Sequence, residues 1–93
     1  MTKEQHITHR YFVSYSGIKL PLKLVNEITE QGLHNRNTYF CGYFDADDKL
    51  VRCQKIVYGE VESEHVYSYD NNGVLKRAEI TEDDETRELN FPA

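Results

Sequence analysis

The side chains in this 93-residue sequence best suited to redox, metal or proton chemistry are two cysteines, Cys41 and Cys53, and four histidines. The segment DADDK lies between the cysteines, so a turn there places them on the two strands of one hairpin. With a three-residue loop closed by a type I turn and a left-handed third residue, Phe44 faces Leu50 and Cys41 faces Cys53. A register one residue different offsets the sulfurs. Directly opposed thiols can bridge when oxidised, whereas a metal centre needs His34 and His65 to converge with both sulfurs and complete four ligands. No Cys-x-x-Cys loop or helix terminus is present to lower a thiol pKa, so the expectation is two small apolar residues in the core. His6 and His9 are three apart, a spacing that aligns them only on a helix, and the sequence around them starts a helix poorly. They are read as solvated.

His65 lies among Glu62, Glu64 and Tyr67, where it serves as a general base only if a concave site forms around it. Asn35, Arg36 and Asn37 are the polar residues that such a site would draw on, with Arg36 fixing an anion. Glu60, Glu62 and Glu64 alternate, which puts all three on one face of a regular strand and favours solvent exposure. No Gly-x-Gly-x-x-Gly, P-loop, His-Glu-x-x-His or Gly-x-Ser-x-Gly string occurs.

The tyrosines are the stronger signal. Tyr39, Cys41 and Tyr43 share one face of a strand and Phe40 and Phe44 the other; Tyr11, Val13 and Tyr15 oppose Phe12 in the same way. Both faces of the sheet therefore carry large rings. One face is core, and the other is to be covered by the tail, by a curled sheet or by another molecule. Tyrosine suits a covered but partly wet face, because its ring buries area while its hydroxyl keeps a hydrogen-bond partner.

The elements that position these residues follow from period and turn chemistry. Arg10 to Ser16 is aromatic and β-branched and stops at Gly17. Residues 18–25 alternate, but Pro21 lacks an amide hydrogen, so this strand lies at an edge or is interrupted there. Residues 26–36 make a helical turn or an open loop. Strands follow at 37–44, 50–58, 61–69 and 74–80, joined by DADDK, Gly59-Glu60 and Asp70-Asn71-Asn72-Gly73. Thr81, ahead of Asp83 and Asp84, is placed to cap a short C-terminal helix that docks Leu89 and Phe91. The expected fold class is mainly β, an antiparallel meander of about 5–6 strongly twisted strands. Residues 1–9 form an N-terminal arm, 10–80 the β-domain, and 81–93 an acidic C-terminal tail.

A shift of 25 positions superposes Phe44-Asp45 on Tyr69-Asp70, Leu50 on Leu75 and Arg52 on Arg77. Residues 67–75, YSYDNNGVL, resemble one unit of the tyrosine-aspartate repeats of Rhs-type proteins and also a MORN-variant hairpin. That resemblance implies hairpin architecture alone. Over its whole length, with YFVSYSGIKLPLKLVNE, VYGEVE and NGVLKRAEI, the chain resembles a small uncharacterised bacterial protein family, which implies no activity.

A formal net charge of -5 repels phosphate backbones and argues against nucleic acid as a partner. There is no run of apolar residues long enough to span a bilayer and no signal-like N-terminal segment, so a cytoplasmic protein with reduced thiols is expected. No cofactor is implied. The functional expectation is a noncatalytic protein-binding or regulatory module, using Tyr39, Tyr43, Tyr67 and Tyr69 to contact another protein or a second copy in a homodimer. The alternative is a small-molecule binder or modest enzyme with a pocket near residues 26–37 and His65, using Asn35 and Arg36.

Overall fold

The computed structural model describes residues 7–17 and 19–91. Seven strands form within them: β1 (Thr8–Ser16), β2 (Lys23–Ile28), β3 (Thr38–Phe44), β4 (Leu50–Val57), β5 (Glu60–Tyr69), β6 (Leu75–Glu82) and β7 (Glu85–Asn90), with a 3-10 helix at Glu30–Asn35 between β2 and β3. They make one antiparallel sheet in the order β2-β1-β3-β4-β5-β6-β7. Short turns between β3 and β7 force sequential strands to be neighbours. The longer connection at 29–37 carries the chain past β1, so that β3 pairs with the side of β1 that β2 leaves open. The mainly-β, twisted antiparallel reading holds, with one strand more than expected. Pro21 precedes β2, which is an edge strand. β1 begins at Thr8 and so includes His9; His6 and most of the arm lie outside the described residues.

The internal echo is one hairpin built twice. Asp45 Oδ1 accepts from the amides of Asp47 (2.9 Å) and Lys49 (3.0 Å), and Asp70 Oδ1 accepts from those of Asn72 (2.8 Å) and Val74 (2.9 Å). Both loops hold a left-handed third residue, Asp48 (φ 64) and Gly73 (φ 80). Phe44 pairs with Leu50 and Tyr69 with Leu75, and each hairpin then slips by one residue, so that Tyr43 pairs with Arg52 and Ser68 with Arg77. That bulge decides the cysteine register. Cys41 sits opposite Gln54 and Cys53 opposite Gly42, so the two sulfurs lie on opposite faces of the sheet and do not face each other.

The C-terminal helix does not form. Asp83 (φ 52) and Asp84 (φ 63) are both left-handed, the signature of a two-residue type I′ turn whose twist matches its flanking strands. β7 therefore folds back on β6, with Leu89 opposite Ala78. A helix this short is marginal in water, whereas a strand gains ladder hydrogen bonds from β6. Leu89 and Phe91 still pack against the core, from β7 and the residue just beyond it.

The main hydrophobic core lies on one face of the sheet, while Cys41 and Ile56 are buried on the other. Phe12, Phe40, Phe44, Leu50, Cys53, Tyr67 and Ala78 form the main core, and Leu20, Leu22 and Leu24 pack over them. β1 and β5 are three inter-strand steps apart, about 14 Å in a flat sheet, yet the Leu22 amide donates to the Tyr67 hydroxyl at 3.2 Å. This closure requires the β1–β2 ribbon to curl across the sheet, and two-stranded ribbons twist most readily. The same curl carries Tyr15 off the face of Tyr11 and sets it edge-on to Phe40, with ring centres 5.5 Å apart. Gly42 makes room for the fold-over: a Cβ there would lie 2.6 Å from Leu24 Cδ1 and 3.1 Å from Leu50 Cδ1. The Arg10 guanidinium closes one end of the core, 4.2 Å from the Phe44 ring centre.

Candidate functional site

The curl gives the sheet a convex face and a concave face with different chemistry. On the convex face, Tyr11 and Tyr39 meet edge to face at 5.8 Å, and His9 lies 5.5 Å from Tyr11 and 6.0 Å from Tyr43. Tyr11, Tyr39 and Tyr43 are half-buried by one another, and Cys41 is buried between them. Further along the face, the Tyr43 hydroxyl donates to Gln54 Oε1 (3.5 Å), Gln54 Nε2 donates to Glu64 (2.8 Å), and Arg52 pairs with Glu64 (3.5 Å). Burial raises the pKa of Tyr11 and of Tyr43, so both remain neutral hydroxyls at physiological pH. Among the described residues all seven strands lie in one sheet, so the remaining regular element next to this face is the 3-10 helix, whose Glu30 carboxylate acts on Tyr11.

The concave face carries the core and, beside it, a groove of about 310 Å³. Phe40, Ile80, Leu22 and Tyr15 give it an apolar surface, and His65, Glu82 and Arg87 a polar wall. Glu62 and Lys55 also line it and pair with each other at 3.1 Å. His65 is half-buried, and Nδ1 lies 2.7 Å from the Tyr67 hydroxyl. That hydroxyl also accepts from the Leu22 amide, and the tautomer of His65 decides which partner donates across the Nδ1 contact. Burial lowers the His65 pKa; Glu82 pushes it up and Arg87 pushes it down. Tyr67 is pushed well above the ordinary tyrosine value by burial.

Both cysteines are free and buried, burial raises Cys41, and burial pushes Cys53 up to about 12, with Cys41 adding to the shift. No group of three or more His, Cys, Asp or Glu side chains is placed to hold a metal ion among the described residues.

Comparison with known proteins adds one match. A family model described as a family of unknown function (DUF6156) covers residues 4–93. The chain belongs to the DUF6156 family. No curated protein and no solved structure matches it. These comparisons lend no support to a specific Rhs-type or MORN-variant identity for the hairpin at residues 67–75, which leaves the DUF6156 chain with the hairpin geometry alone.

The residues expected to bind do not form one surface in the DUF6156 chain. Tyr39 and Tyr43 are on the convex face, whereas Tyr67 and Tyr69 belong to the concave side, where the Tyr69 hydroxyl donates to the Leu50 carbonyl at 2.6 Å. Asn35 ends the 3-10 helix and Arg36 caps it, both exposed. The groove that contains His65 draws no residue from 26–37; its opposite wall comes from Tyr15 and Leu22. The acidic stripe is divided as well. Glu62 pairs with Lys55 beside the bulge in β4–β5, while Glu64 joins Arg52 and Gln54 on the convex face.

Sequence reasoning left Tyr11 and His9 out of the binding set, although the placement of Tyr11 opposite Phe12 carried the signal for one of them. It also missed Tyr58, which is 76% exposed and left-handed (φ 51) beside Gly59 (φ 81) in the turn between β4 and β5. The sequence pattern places the turn at Gly59-Glu60, but Glu60 already belongs to β5. Two consecutive positive φ values make this turn type I′, for which Asn-Gly is the preferred pair.

Proposed function

We propose that this chain is a noncatalytic protein-binding module whose docking face is the convex surface around Tyr11, Tyr39 and Tyr43. The observation that carries the reading is a band of half-buried tyrosines on the face of a one-sheet fold opposite its main hydrophobic cluster. Such rings give a partner large, rigid contact area, and their hydroxyls fit a rim that remains wet. The charges on the face support the same reading. Arg52 pairs with Glu64 beside the rings, so these two charges offset each other. The partner is another protein or a second copy, and the reduced, buried thiols suit a cytoplasmic setting.

Hydroxyl-radical footprinting tests the reading. Tyr39 and Tyr43 should label at least threefold less inside the producing cell than in dilute purified protein, with exposed Tyr58 labelled equally in both. Equal labelling of Tyr39 and Tyr43 in the two settings would refute it.

A further inference from the structure

One wall of the concave groove is tied to β5 by a chain of hydrogen bonds. Residues 19–22 lie between β1 and β2, and the Leu22 amide is tied to β5 through the Tyr67 hydroxyl (3.2 Å), which in turn bonds His65 Nδ1 (2.7 Å). Leu22 lines the groove beside Tyr15. We propose that His65 is an acid-sensing latch: protonation of its ring releases Leu22 from Tyr67 and opens the concave groove. This inference concerns the face opposite the tyrosine surface and stands or falls independently of it.

The argument runs through the tautomer. Neutral His65 accepts at Nδ1, so the Tyr67 hydroxyl donates there and keeps its lone pairs for the Leu22 amide. An imidazolium carries hydrogen on both nitrogens and turns Nδ1 into a donor. The Tyr67 oxygen must then face two donors while its own hydrogen loses its acceptor. Tyr67 is 3% exposed, and no other acceptor lies within hydrogen-bond distance of its hydroxyl among the described residues. A buried donor left without a partner is costly, and it is relieved when the Leu22 segment swings away and water enters to accept from the Tyr67 hydroxyl and to receive the Leu22 amide.

The charges around the ring set the direction. Glu82 on β6 favours the cation and Arg87 on β7 opposes it. Lys55 on β4 and Glu62 on β5 are paired with each other, and Cys53, opposite His65 on β4, is held neutral like Tyr67. Tyr15 on β1 faces the groove. Burial outweighs these charges and holds the ring below its ordinary value. The latch is therefore closed at neutral pH, and acid must overcome the burial to open it.

Amide exchange of Leu22, corrected for intrinsic chemistry and measured by nuclear magnetic resonance at pH 7.5 and pH 5.0, tests the latch. Protection at Leu22 should fall at least tenfold at the lower pH while the Cys53 and Ala78 amides stay protected, and His65→Gln should remove the pH dependence. Imidazole nitrogen shifts should show hydrogen on Nε2 at pH 7.5. Equal Leu22 protection at the two pH values, a pH dependence that survives in His65→Gln, or hydrogen on Nδ1 of the neutral ring would overturn the proposal.

Discussion

Replacing Tyr58 with asparagine should stabilise the fold, because the tyrosine occupies a backbone conformation that it fits poorly. Its φ of 51 lies in the left-handed region, which costs an ordinary L-residue about 1–2 kcal/mol and costs asparagine much less. Little ring contact is lost in exchange, since Tyr58 is 76% exposed; the covered remainder is worth roughly 0.5 kcal/mol at about 25 cal/mol per Å² of apolar area. The amide of residue 58 still donates to the Asn37 carbonyl at 2.7 Å, because that bond is made by backbone. The net expectation is a gain of about 1 kcal/mol, read as a Tm increase of about 4–8 °C for a domain of this size. Thermal unfolding followed by circular dichroism, with urea denaturation alongside, measures it. Tyr58→Ala is the control: alanine keeps the left-handed cost and loses the ring, so it should be neutral or slightly destabilising. A Tyr58→Asn variant no more stable than the parent, or an alanine variant equally stabilised, would refute the backbone argument.

Other substitutions probe the rest of the fold. Gly42→Ala should cost about 1–3 kcal/mol in urea denaturation through overpacking, because its Cβ would enter the space of Leu24, Phe44 and Leu50; an unchanged midpoint would show that the β1–β2 ribbon does not press on β3. Asp45→Ala should lose about 1 kcal/mol by removing the acceptor for two loop amides, and a loss below the error of the measurement would count against the turn geometry. The thiols should be unreactive toward a disulfide reagent at pH 7.5 until the chain unfolds, since both are buried. Fast labelling of native protein would contradict that. Cys53 has a folded pKa of about 12, above the unfolded value of about 8.5. Its contribution to stability should therefore be intact below pH 8.5 and fall as pH rises toward 12; alkaline stability that is the same in Cys53→Ala would show that the thiol does not contribute.

The sequence was most informative where a turn has one chemical solution. Asp45 and Asp70, each followed by a left-handed third loop residue, announced both central hairpins and their first pairs. The bulges after those pairs were not legible, because a one-residue slip leaves no mark on the alternation of Tyr39, Phe40, Cys41 and Tyr43, and it moved Cys41 away from Cys53. At the C-terminus, Thr81, Asp83 and Asp84 suit a helix cap as well as a tight turn, and pairing with β6 decided between them. The groove was hidden for a different reason. Tyr15, His65 and Arg87 come from three different strands and Leu22 from the connection between β1 and β2, and the curl of the β1–β2 ribbon brings them together. The tyrosine face was visible as a pattern, but which rings belonged to it depended on that same curl, which removed Tyr15.

Site-specific photocrosslinking tests the central claim most directly. A benzophenone side chain installed at position 39 or 43 should yield a discrete protein adduct in the producing cell, of either a partner or a second copy, and the yield should drop when Tyr11 is also replaced by serine. The same probe at position 87, in the groove, should give none. Adducts from position 87 but not from 39 or 43 would contradict the account, as would the absence of any adduct from the convex face.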